Sequence, residues 1–164
     1  MLLGMSEPTF TIVHTILSLI GIAAGIVVLV AMFGSSRLPR WTAVFLATTV
    51  LTSVTGFMFP RDHLMPSHVV GVISLVVLAI AIRARYRYRL VRAWRWIYVV
   101  CAVMALYLNV FVLVVQSFQK LPSLARLAPT QSEPPFVVAQ LAVLVMFAAL
   151  CAGAAIKFRP AATA

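Results

Sequence analysis

Apolar residues run along this chain in five blocks, separated by short stretches that hold all of the acidic and basic side chains. The blocks cover residues 10–33, 41–59, 64–82, 96–118 and 136–156, and none contains Asp, Glu, Lys or Arg. A hydrocarbon core about 30 Å thick takes roughly 20 helical residues at about 1.5 Å rise each. Each block therefore reads as a transmembrane helix, and residues 1–164 as a single all-α domain of five spans. Proline tests the division independently, because it breaks the hydrogen-bond ladder of a helix interior. Eight of the nine prolines lie outside the blocks, and Pro66 falls in the first turn of the third, where its missing N–H costs nothing. No basic segment precedes the first block and no small-x-small cleavage site follows it, so it reads as a retained span rather than a signal peptide. Met1 and Met5 both remain candidate starts.

Composition removes the soluble alternatives. The chain is 63% apolar and 10% charged, with a mean hydropathy of +1.09; soluble domains are about 45–50% apolar and about 25% charged. Disorder, a disulfide scaffold and a secreted globular enzyme are excluded together. The net charge is +10, from 13 Lys plus Arg against 3 Asp plus Glu, and its distribution gives an orientation. Arg37 and Arg40, the run Arg83, Arg85, Arg87, Arg89, Arg92 and Arg95, and Lys157 and Arg159 all fall on one side of a five-span chain. Only Arg61, Lys120 and Arg126 fall on the other. The positive-inside rule then puts the N-terminus outside and the C-terminus in the cytoplasm. Trp41, Trp94 and Trp96 sit at the inner ends of spans, as an aromatic belt requires. Glu7, Asp62 and Glu133 precede the three spans that start outside, each facing the positive end of a helix dipole.

The arginine run interleaves with Tyr86, Tyr88 and Trp94, a pattern that also suits nucleic acid. Its place between two spans, with no attached domain, favours anionic lipid headgroups instead. The three histidines invite a different chemistry. His14 and His68 each lie about one turn inside the outer end of a span, and His63 stands beside Asp62 in the short outer loop. A haem b held by His14 and His68 is one reading, and a copper or zinc ion held by His14, His63, His68 and Asp62 another. Interfacial histidines bonded to neighbouring helices are the plainer account. Asn109, mid-span, must point into the bundle, where it bonds a neighbouring helix, a quinone carbonyl or a haem propionate. Thr48, Thr52 and Thr55 form a hydroxyl stripe that serves close packing or, alternatively, a polar pathway. Gly21 and Gly25, with Ala148, Ala149, Ala152 and Gly153, are small contact faces, either within the bundle or toward a partner or second copy. Cys101 and Cys151 read as two apolar thiols near the inner face.

No span carries an ionisable carboxylate or amine, which argues against ion-coupled transport. Phosphate-binding, dinucleotide and HExxH motifs are also missing. The stretches TSVTGFMFP (52–60), PSHVVG (66–71) and APTQSEPPF (128–136) resemble those of small bacterial inner-membrane proteins described only as hypothetical. The resemblance implies a multi-pass protein of a bacterial inner membrane and carries no activity with it. The expected function is a non-enzymatic accessory or interaction subunit. A haem- or metal-binding redox protein and a small solute channel or carrier are the rivals.

Overall fold

A computed structural model describes residues 4–59 and 66–160, and every element among them is helical. The order is α1 (Glu7–Phe33), α2 (Pro39–Gly56), α3 (Pro66–Ile82), a π-helical turn (Arg83–Arg87), α4 (Ala93–Lys120), the single turn α5 (Pro122–Ala125) and α6 (Pro134–Lys157). Prolines mark the starts, and Pro66 opens α3 in the first-turn place expected of it. Pro8, Pro39, Pro122 and Pro134 all occupy the first positions of helices, where no N–H is needed. Ser6 caps α1, its Oγ accepting the Thr9 N–H at 3.4 Å.

The helices α1, α2, α3 and α4 close a ring in that order, with α4 returning onto α1, and α6 docks outside against α4 and α1. Buried positions on α4 (Tyr98, Val99, Ala102, Val103, Ala105, Leu106, Asn109) recur every three to four residues, the period of one helix face. On α1 the buried stripe runs through Gly21, Ala24, Gly25, Val28, Leu29 and Met32.

The apolar core is accompanied by buried polar side chains, and the outer surface is apolar as well. Thr42, Thr49, Thr52, Ser53, Ser74 and Asn109 are buried, while large aliphatics cover the outside; Val138 is 63% and Val30 66% exposed. An apolar outer surface of that extent is compatible with a hydrocarbon solvent. Four helices are long and apolar enough to cross a membrane: α1, α3 extended by its π turn, α4 and α6. Of the five blocks seen in the sequence, α2 is the one outside that set. Its Pro39-Arg40 start and its hydroxyl residues lower its apolar content, and most of those hydroxyls are spent inside the ring.

The polybasic stretch departs from expectation. Rather than a loop from residue 83, the backbone continues as a π turn closed by Tyr88 N–H to Arg83 carbonyl at 3.0 Å, which lengthens a 17-residue helix. Beyond it the chain reverses through Arg89, Leu90 and Arg92, all at positive φ.

At the opposite end, Glu133 is the N-cap residue of α6 and its side chain turns back to the preceding loop. Its carboxylate accepts from the Thr130 amide (3.1 Å), the Thr130 hydroxyl (2.9 Å) and the Ser132 amide (3.1 Å). Desolvation is the largest single influence and works upward, but the hydrogen bonds together outweigh it and hold the carboxyl below the usual glutamate range. A carboxylate with a depressed folded pKa stabilises the fold above its unfolded value. That contribution is lost as pH falls through the folded value. In an NMR titration of the micelle-bound protein, Glu133 is expected to titrate below a free glutamate at about 4.3. Thr130→Ala moves it back up; an unchanged midpoint in that variant refutes the assignment.

Candidate functional site

Three groups of polar side chains remain once the apolar core is set aside. The first lies at the end of the ring where α1 begins and α2 ends. His14 on α1 meets Thr55 on α2, with Nδ1 to Oγ1 at 2.8 Å. The Thr55 hydroxyl also reaches the Leu51 carbonyl at 2.7 Å, and when its proton lies there it accepts from His14. With the Thr55 proton on the Leu51 carbonyl, the matching His14 tautomer carries its proton on Nδ1 and a lone pair on Nε2. Phe59 stands edge-on to the same ring at 5.2 Å. His68 on α3 packs against Phe57, ring centroids 5.7 Å apart. Each histidine thus has its own aromatic neighbour from the end of α2. The outer-loop ligands expected from the sequence, His63 and Asp62, lie outside the described residues. Among the described residues, no three His, Cys, Asp or Glu side chains gather where they could hold a metal ion.

The second group is a seam of hydroxyls along α2. Ser53 donates to Ser74 of α3 at 3.1 Å. Asn109 of α4 donates to Thr49 at 3.3 Å, so the mid-span amide is answered by a neighbouring helix. Gly21 makes the meeting possible: a Cβ there would lie 3.1 Å from Thr48 Oγ1, 3.2 Å from Thr49 Oγ1 and 3.5 Å from Asn109 Nδ2. Thr48 and Thr55 of the sequence-derived stripe bond back to the carbonyls of Val44 and Leu51, both at 2.7 Å. Thr52 between them is buried with its hydroxyl unpartnered. The essential partner, Thr49, was not in that stripe. It lies one residue off the chosen spacing, and only its meeting with Asn109 of α4 singles it out.

The glycine pair is also placed. A Cβ on Gly25 would sit 2.6 Å from Leu106 Cδ1 and 2.9 Å from the Phe45 ring, so Gly21 and Gly25 are used within the bundle. On α6 only Gly153 is used that way, against Phe33; Ala148, Ala149 and Ala152 face outward. Cys101 and Cys151 are free, half-buried thiols on the packed pair α4 and α6.

The third group closes the other end of the bundle, and it is cationic. Arg85 is only 9% exposed. Its Nη2 donates to the Arg37 carbonyl at 2.9 Å, and its guanidinium lies 5.8 Å from the Tyr98 ring centre. This corrects the expectation that all six arginines of the run face headgroups. Leu78, Ala81 and Arg85 share one buried stripe of α3 and its π turn, so the fold carries Arg85 inward. That register, Leu78-x-x-Ala81-x-x-x-Arg85, is the signal in the sequence that could have found it. Arg95 donates to the Phe158 carbonyl and stacks over Trp96 at 4.6 Å. Arg83, Arg87, Arg89 and Arg92 stay exposed. Partial burial and the like charge of Arg85 lower the affinity of Arg37 for its proton. Both described acids, Glu7 and Glu133, lie at the far end.

The end is tied by Ser35, whose Oγ donates to the Lys157 carbonyl (2.8 Å) and accepts the Arg159 N–H (3.0 Å). Tyr88 and Trp94 stack at 3.7 Å across the chain reversal that follows the π turn. No protein-family model matches the chain, and no curated protein and no solved structure is significantly similar to it.

Proposed function

We propose that the chain is a non-enzymatic accessory or interaction subunit of a bacterial inner membrane. In this reading it spans the bilayer five times, with the N-terminus outside and the arginine-bearing end in the cytoplasm. The observation that carries the interaction role is the contrast between its small-residue faces. The glycines of α1 are consumed by α2 and α4, whereas Ala148, Ala149 and Ala152 on α6 stand outward on the helix least enclosed by the others. Small residues on a lipid-facing helix let a second helix approach closely, and association there rests on van der Waals contact rather than on hydrophobicity. The fifth span rests on α2 being walled by α1 and α3, which shields hydroxyls that hydrocarbon would not tolerate.

One set of single-cysteine variants tests both parts, made after Cys101 and Cys151 are replaced by alanine. Ser132→Cys is expected to react with an impermeant maleimide in intact cells, and Ser36→Cys only after the membrane is opened. Ala149→Cys, carrying a photoactivatable reagent, is expected to give one discrete adduct with another polypeptide. Labelling of both loops from the same side overturns the five-span topology. Lipid adducts alone at Ala149 overturn the interaction role.

A further inference from the structure

At the cationic end, α2 and the last part of α3 stand apart over a groove of about 480 Å³, lined by Ala43, Leu46, Ala47, Val50, Ile82 and Tyr86. Its volume falls within the roughly 300–1,000 Å³ of small-molecule sites. We propose that this groove seats an acyl chain of one anionic phospholipid, with its phosphate held by Arg40 and Arg83 at the groove mouth.

Length, shape and charge converge on that occupant. The α2 wall runs from Ala43 to Leu51, about 12 Å at about 1.5 Å per residue. That fits within one leaflet, half of a core about 30 Å thick. Ala43 and Ala47 give the groove its depth because neither side chain fills it. Arg40 precedes them on the same helix face, at the i, i+3, i+7 spacing, and is exposed. On the facing wall Ile82 and Tyr86 line the groove, and exposed Arg83 lies between them in the π turn. Tyr86 is 54% exposed, an amphipathic ring at the depth where headgroups begin. A lipid phosphate here meets cations with neither described acid at this end. The wall is wholly apolar below the mouth, so a free phosphate compound has nothing to gain from it.

The site rests on the membrane reading above but not on the orientation or the interaction role. Symmetric nanodiscs and detergent present the groove identically whichever way the protein inserts. The test is native mass spectrometry of the full chain, delipidated and then mixed with phosphatidylglycerol or with phosphatidylcholine of matched chains. One phosphatidylglycerol is expected to stay bound at collision energies that strip phosphatidylcholine. Arg40→Gln and Arg83→Gln are each expected to weaken retention about fivefold, the equivalent of about 1 kcal/mol per basic residue at an anionic surface. Ala47→Trp fills the groove from its exposed side, as Ala43→Leu does more mildly, and both are expected to remove the retained lipid. Glycerol phosphate is expected not to compete. Equal retention of the two lipids, or unchanged retention in both groove-filling variants, overturns the proposal.

Discussion

Gly25→Leu is expected to break the bundle open. The first atom beyond Cα already meets Leu106 at 2.6 Å and Phe45 at 2.9 Å, and both neighbours are among the most buried side chains of the core. Gly25→Ala alone is expected to cost about 1–3 kcal/mol as overpacking. The helix-propensity gain of about 1 kcal/mol from Gly to Ala recovers part of this. Leucine adds three more heavy atoms with nowhere to go, so its cost exceeds that range. Against a total stability of about 5–15 kcal/mol, it removes most of the population that stays folded in detergent. The measurement is SDS or urea unfolding of the micelle-bound protein followed by circular dichroism. Leu106→Ala placed beside Gly25→Ala is expected to restore part of the loss, because the two sites share one volume. Gly34→Ala supplies the contrast: its nearest neighbour is at 3.7 Å, and its unfolding midpoint is expected to stay within error of the parent. Equal effects at Gly25 and Gly34 would show that close approach of α1 is not what these glycines provide.

Arg85→Ala carries the second large effect, about 2–4 kcal/mol of destabilisation. The substitution removes a charge-assisted hydrogen bond to the Arg37 carbonyl, worth about 1.5–3 kcal/mol. It also removes the guanidinium over Tyr98, about 0.5–2 kcal/mol, and empties the space of the buried stem. Arg85→Met keeps that volume and loses only the polar part, so it is expected to cost less than half as much; buried charges replaced by apolar residues of similar size are often well tolerated. Arg85→Lys tests the planar fork, since one ammonium cannot bond the carbonyl and also lie flat against the ring. An Arg85→Ala protein as stable as the parent would return Arg85 to the headgroup layer with its neighbours.

These two positions show what the sequence discloses and where it stops. Spans are legible because hydrocarbon imposes a length and excludes charge, and both leave marks in a linear string. Prolines at helix starts are legible for the same local reason. Gly25 was visible as half of a glycine pair, but whether its partner was inside the bundle or on another molecule depends on which faces meet, and no local rule fixes that. Arg85 shows the opposite failure. Its neighbours Arg83 and Arg87 are chemically the same and stay exposed, and only continuation of the α3 register through the π turn separates it from them. Thr49 was passed over because all the hydroxyls of α2 look alike until Asn109 chooses one. The histidines were read as a shared slab from their depth alone. Depth does not say which way a ring faces, and here His14 turns to Thr55 and His68 to Phe57.

Ser35 has a consequence for how the molecule breathes. The last turn of α6 leaves backbone groups without intrahelical partners, as every helix end does, and the chain ahead of it has no glycine to fold back over them. A hydroxyl from the first loop, 122 residues away, takes one of these carbonyls and the following Arg159 amide. Helix ends ordinarily fray one at a time, at little free-energy cost. Here the terminus of α6 peels away only by breaking its bonds to Ser35 of the first loop, and Arg95 on the Phe158 carbonyl adds α4 to the same latch. The first loop and the end of α6 are therefore expected to open together, so that local fluctuations at this end are coupled rather than independent.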